Sequence, residues 1–89
     1  SYNHIFSLTQ KQITGRFAEF ILYLKDQIHQ KPKFELALSK REMAEMIATT
    51  QESMSRLLKQ FSDDKLIKLN KHQLTILDEA KLRYLSKVA

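Results

Sequence analysis

The run Ser39-Lys40-Arg41-Glu42-Met43-Ala44-Glu45-Met46-Ile47-Ala48-Thr49-Thr50-Gln51-Glu52-Ser53-Met54-Ser55-Arg56-Leu57-Leu58-Lys59-Gln60-Phe61 holds two helical patterns with a break between them. Ser39 reads as a helix N-cap, and Glu42 three residues later completes a capping box. The helix that follows, residues 40–47, turns Met43, Ala44 and Ile47 inward. The pattern breaks over Ala48-Thr49-Thr50, and Thr50 is itself a good cap for a second helix, residues 51–63. In that helix Met54, Leu57, Leu58 and Phe61 recur at helical spacing, while Glu52, Ser55, Arg56 and Lys59 occupy the opposite face. Two helices joined by about three residues, the second with a polar outer face, predict a helix-turn-helix.

Downstream the period changes from helical to alternating. Residues 66–69 and 74–77 are short β-prone runs around the polar tip Asn70-Lys71-His72-Gln73, which predicts a hairpin, or wing. Asp78 then caps a last helix through Ala80, Leu82, Leu85 and Val88. Upstream, Ile13, Phe17, Phe20, Ile21, Leu24 and Ile28 form one stripe of an amphipathic helix over residues 9–30. Gly15 costs that helix about 1 kcal/mol relative to Ala, so close approach of another backbone is expected there. Lys31-Pro32-Lys33 ends it, because Pro disfavours helical geometry in the preceding residue. Residues 34–38 suit a short edge strand. The fold class is therefore mainly α with a small β wing: a winged helix-turn-helix.

The chain has 89 residues, enough for one domain and one core, and 43% of them are hydrophobic. No apolar run is long enough for a membrane span, so no membrane partner and a cytoplasmic location are expected. The absence of cysteine excludes disulfides, thiol nucleophiles and thiolate metal sites. His4, His29 and His72 lack metal spacing, and no metal or cofactor is expected in this chain. A single Gly leaves no Gly-rich phosphate loop, and no catalytic constellation is legible, so an enzyme is not expected. Met43, Met46 and Met54 read as core filler. The net charge of +5 favours an anionic partner, nucleic acid first.

Glu52 and Arg56 stand about 6 Å apart along the helix axis, and bases step by about 3.4 Å, so both can reach neighbouring steps of a major groove. A carboxylate accepts from a cytosine or adenine amine, and a guanidinium donates twice to guanine. Ser55 shares their face. The competing reading is a solvated i,i+4 pair worth about 0.3–0.5 kcal/mol. The helix before and the wing after favour base reading. Ser39, Lys40 and Arg41 lie at a helix N-terminus suited to phosphate, although Ser39 also serves as a cap. Thr50 and Ser53 have the same double reading, and Lys59, Lys71 and His72 are further candidates for backbone contact.

Leu38-Ser39-Lys40-Arg41-Glu42-Met43-Ala44, Thr49-Thr50-Gln51-Glu52-Ser53-Met54-Ser55-Arg56-Leu57-Leu58 and Leu66-Ile67 together resemble the C-terminal domain of the CRP/FNR transcription regulators. That family shows T/S-R-x-E-I-A, then E-T-V-S-R, then G-L-I ahead of the wing. Ile13-Thr14-Gly15-Arg16-Phe17-Ala18 is similar to its leading helix. The resemblance implies base reading by Glu52, Ser55 and Arg56. It also implies a palindrome of TTGA-like half-sites, as in the oxygen- and nitric-oxide-responsive branch. Gln51 is a further candidate base contact; it stands where the cyclic-AMP branch has an additional base-reading Arg, which argues against a TGTGA-type site. The chain departs from the pattern at Ala48, where Gly is usual, and at Asn70-Lys71, which lacks the Gly of the wing.

The family's members carry an N-terminal sensor and a dimerisation helix ahead of this domain. Residues 1–8 are then expected to be the remnant of the hinge, with those parts absent from this chain. The resemblance implies double-stranded DNA and RNA polymerase as partners, and a homodimer for the full-length protein with a monomer for this piece. The effector is not legible: cyclic nucleotide, haem, iron–sulfur cluster and 2-oxoglutarate all stay open. A protein–protein module built on the same winged helix is the alternative, distinguishable by salt dependence.

Overall fold

The structure is a computed structural model that describes residues 12–89. The first helix, α1 (Ile13–Tyr23), buries Phe17, Ala18, Phe20, Ile21 and Leu22, a wider face than the expected stripe. It continues as a π-helical stretch, Leu24–His29. Bonding from i to i+5 widens the turn and rotates the following residues away from where a continuous α-helix would place them. Ile28, expected to be buried with Leu24, is accordingly 55% exposed. Gln30 ends the stretch in the left-handed conformation, its N–H donating to the Lys25 carbonyl at 2.6 Å, and Pro32 follows. The expected helix start at residues 9–11 and the expected hinge at residues 1–8 lie outside the described residues.

Strand β1 (Lys33–Glu35) is shorter than the expected run of residues 34–38 and sits at the edge of a three-stranded antiparallel sheet. It pairs with β3 (Gln73–Ile76), Phe34 opposite Leu74, and β3 pairs in turn with β2 (Ile67–Asn70). The wing strands thus lie one residue from the expected 66–69 and 74–77. Leu66 is drawn out of the ladder by its own bonds. Its N–H donates to the Phe61 carbonyl at 2.9 Å, and its carbonyl accepts from Leu77 and Asp78. Pairing instead extends to Asn70 opposite Gln73, leaving Lys71 and His72 as a two-residue tip.

Helices α2 (Lys40–Met46) and α3 (Gln51–Asp63) form the helix-turn-helix. Ser39 and Glu42 make the expected capping box, at 2.8 and 3.0 Å, and Ile47 caps the C-terminus of α2 instead of belonging to it. Met43, Ala44, Ile47, Met54, Leu57, Leu58 and Phe61 are all buried. Met46 is not core filler, being 38% exposed. Phe61 meets Phe17 edge-on at 4.8 Å, which locks α3 to α1.

Both helices end in the same hydrogen-bonded bend. After α2, the Thr49 N–H donates to Ala44 at 2.9 Å and the Ala48 N–H to Glu45 at 3.2 Å, with Ala48 at φ 59°. After α3, Leu66 donates to Phe61 and Lys65 to Ser62, with Lys65 at φ 61°. These are Schellman ends, whose left-handed position is usually Gly. An L-residue there costs about 1–2 kcal/mol.

Helix α4 (Glu79–Val88), capped by Asp78, packs on α1. A Cβ at Gly15 would collide with the Ala89 carbonyl group and lie 3.1 Å from the Leu85 carbonyl oxygen, so Gly15 permits the expected close approach. Arg83 bonds Asp26 at 3.0 Å and Glu79 at 2.7 Å, while Lys25 reaches Asp26 at 3.1 Å and Glu79 at 3.4 Å. Burial pushes the Asp26 carboxyl up, but its bonds from Arg83 and Lys25 outweigh that and hold it below the ordinary range. The Arg83 bond lowers Glu79, and the Asp26 bond raises Lys25.

Candidate nucleic-acid interface

The outer face of α3 begins at Thr50, whose hydroxyl oxygen accepts from the Ser53 N–H at 3.0 Å. Thr50 and Ser53 therefore both serve the helix start. Gln51, Glu52, Arg56 and Lys59 are exposed beyond it, and Ser55 is half-buried on the same side. Arg56 and Glu52 pair at 3.2 Å, with their side chains 70% and 78% exposed. Lys59 pairs with Asp63 at 3.1 Å, and Arg41 on α2 with Glu45 at 3.6 Å. Arg56 and Lys59 line a shallow depression of about 360 Å³ with Gln60, Asp63 and Asp64.

A second cluster is assembled from segments far apart in sequence. The Leu36 N–H donates to the His72 carbonyl at 2.6 Å, tying the wing tip to the segment that leads into α2. Ser39 and Lys40 at the start of α2 thereby share a groove of about 230 Å³ with Lys71 and His72. Leu36, Leu38, Met43, Leu58 and Leu69 also line it. Lys40 and Lys71 pair with no carboxylate among the described residues, so their charge is available to an anion. Lys71 stands at φ 58°, so the wing tip makes its tight reversal without the usual Gly. Arg41 faces Glu45 and does not line that groove.

Arg16 makes a long-range contact that the sequence pattern does not anticipate. Arg16 on α1 donates from Nε to the Ile47 carbonyl at 2.8 Å and from Nη2 toward the Ala48 carbonyl at 3.4 Å. Its signal was faint, because nothing local in sequence links residue 16 to residues 47 and 48.

The sequence pattern of the Crp-like helix-turn-helix domain matches residues 15–85, which spans both clusters. The chain belongs to this family. Its fold is the CRP-type winged helix-turn-helix, seen also in FixK2 from Bradyrhizobium japonicum, with TM-score 0.82 and 23% identity over 92% of this chain. A CRP/FNR-family transcriptional regulator from Eubacterium rectale aligns with TM-score 0.79 and 25% identity over 90% of it. A mutant of CooA from Carboxydothermus hydrogenoformans gives TM-score 0.73 and 32% identity over 89%. The chain spans 36%, 42% and 38% of the regulators from E. rectale, B. japonicum and C. hydrogenoformans respectively. Comparison with curated proteins gives no match. This Crp-like domain has the family and fold of a DNA-binding transcription regulator, a class not typically enzymatic. No helix among its described residues is long and apolar enough to cross a membrane.

Proposed function

We propose that this Crp-like domain binds double-stranded DNA sequence-specifically, with α3 in the major groove of a TTGA-like half-site. The supporting observation is the exposed Glu52–Arg56 pair on the outer face of α3. Ser55 and Gln51 complete the base-reading set. Lys40, Lys71 and His72, with the N-terminus of α2, grip the flanking phosphates. Arg41, Lys59, Ser39, Thr50 and Ser53 add backbone contacts, the first two after leaving their carboxylate partners.

The free-state pair is not an obstacle. An exposed i,i+4 ion pair is worth about 0.3–0.5 kcal/mol. A bidentate arginine–guanine contact discriminates by about 1–3 kcal/mol, so Arg56 exchanges Glu52 for guanine at little cost. Glu52 is then free to accept from a cytosine or adenine amine on the neighbouring step.

The test is a mobility shift on a TTGA-type palindrome and on a scrambled duplex, at several salt concentrations. Preference for the palindrome, with affinity falling steeply as salt rises, is expected. Equal binding to both duplexes would sink base reading, and salt-insensitive capture of a protein partner would favour the interaction-module alternative. In the whole regulator we place two such domains as a homodimer on the palindrome, in contact with RNA polymerase.

A further inference from the structure

We propose that Arg16 is a positioning residue for base reading. Its guanidinium, bonded to the Ile47 and Ala48 carbonyls, holds the bend between α2 and α3 and so sets the angle at which α3 meets DNA. The inference rests on the DNA-binding reading above.

The bend needs holding. Its N–H groups are used by the Schellman bonds of Ala48 and Thr49. The Ile47 and Ala48 carbonyls receive no backbone N–H among the described residues, and Arg16 supplies the donors. The left-handed residue is Ala48 where Gly would sit without strain, so the local chain does not favour this conformation by itself. One side chain bridging two successive carbonyls restricts the torsion between them. Arginine suits this, because its donors stand in a fixed fork, whereas lysine offers a single flexible point.

The platform is rigid as well. Gly15, next to Arg16, lies against the backbone of Ala89 and Leu85, and Phe17 is fully buried against Phe61. Only Thr49 separates the bend from Thr50, the cap of α3. Arg56 lies six residues past that cap, about 9 Å along the axis, so a tilt of about 10° at the bend moves it about 1.5 Å. Specific contacts tolerate errors of about 0.5 Å. A loosened bend therefore blurs base reading while leaving phosphate contacts, which are long-range and forgiving, nearly intact.

The experiment compares wild-type chain, Arg16→Met and Arg16→Lys by anisotropy titration at fixed and varied salt. The probes are a duplex selected by the wild-type chain from a randomised pool and a scrambled one. Amide exchange at Ala48 and Thr49 is followed in parallel, without DNA. Arg16→Met is expected to reduce preference for the selected duplex about tenfold, with scrambled binding and salt slope unchanged. Faster exchange at both amides should accompany that loss, and Arg16→Lys should fall between. If Arg16→Met does not fold, Arg16→Lys carries the same comparison, because it loses the fork and keeps the charge. Unchanged preference, or unchanged exchange, overturns the proposal. So does equal weakening on both duplexes with the salt slope falling by about one, which would make Arg16 a phosphate contact. A wild-type chain without any preferred duplex overturns the DNA-binding reading itself, visible in that arm alone, and the proposal falls with it.

Discussion

Arg56 and Lys40 are both exposed cations, but the free domain treats them differently. Arg56 is held by Glu52 on the outer face of α3, whereas Lys40, in the groove it shares with the wing tip, pairs with no carboxylate among the described residues. Their substitutions should therefore differ in kind. Arg56→Ala is expected to cost about 1–3 kcal/mol on the preferred site and to flatten discrimination at one base pair. Lys40→Ala should weaken preferred and random DNA alike and lower the salt slope by about one. Titrations on both sequences across a salt series check this, and uniform weakening by Arg56→Ala would remove it from base reading. Ala48 and Lys71 pose a different residue-scale question, since each is left-handed without being Gly. Ala48→Gly and Lys71→Gly should each raise stability by about 1 kcal/mol, read as a shifted urea midpoint at constant slope. Lys71→Gly should also weaken DNA binding, which separates the two roles of that position. A lower midpoint for either variant would mean that the surrounding contacts repay the strain.

Among the elements, α4 is fixed to the first helix by charge as well as by the Gly15 contact. Asp26 and Glu79 both have lowered carboxyl pKa values, in a cluster with Arg83 and Lys25. A lowered folded-state pKa gives stability that is present above the unfolded value, about 3.9 for Asp and about 4.3 for Glu. It is lost as pH falls through the folded value. Thermal melts should therefore show the domain losing stability as pH drops from about 5 toward 3, and Arg83→Met should flatten that loss. The cluster is partly exposed, so solvent screening keeps the whole effect small. An unchanged pH profile in Arg83→Met would show that other carboxylates dominate.

These elements also show where the sequence was readable. Ser39 with Glu42, Thr50, and the spacing of Met54, Leu57, Leu58 and Phe61 are local signals, and each gave its helix correctly. The groove shared by Lys40 and Lys71 was not legible, because it depends on the Leu36–His72 bond across a sheet. The π-helical stretch was hidden because its residues follow an ordinary helical pattern up to Leu24, and only Ile28 reveals the slip. The Schellman ends were hidden because Ala48 and Lys65 occupy the glycine positions.

At the scale of the whole molecule, the described domain measures 32 × 25 × 23 Å and presents one helix, α3, with an exposed polar face of the kind proposed above to read bases. Half-sites of helix-turn-helix palindromes lie about 34 Å apart, centre to centre, so on the proposed reading one copy would occupy one half-site and a palindrome would take two. If the two copies are joined, the second binds at an effective concentration in roughly the millimolar range, and without a joint it binds from bulk solution. If the 89-residue chain is a monomer in dilute solution, a full palindrome is expected to be bound hardly more tightly per half-site than a single half-site. Fusing a parallel coiled coil to its N-terminus, in a register that lets both α3 helices face the groove, should tighten palindrome binding by orders of magnitude. Half-site binding should stay nearly constant, because no contact to DNA is added. Sedimentation at micromolar concentration and titration of half and full sites test both statements together. A stable dimer of the unfused chain that strongly prefers the palindrome would place a dimer contact within these 89 residues. The search for it would then start from the exposed Tyr84 and Val88 on α4.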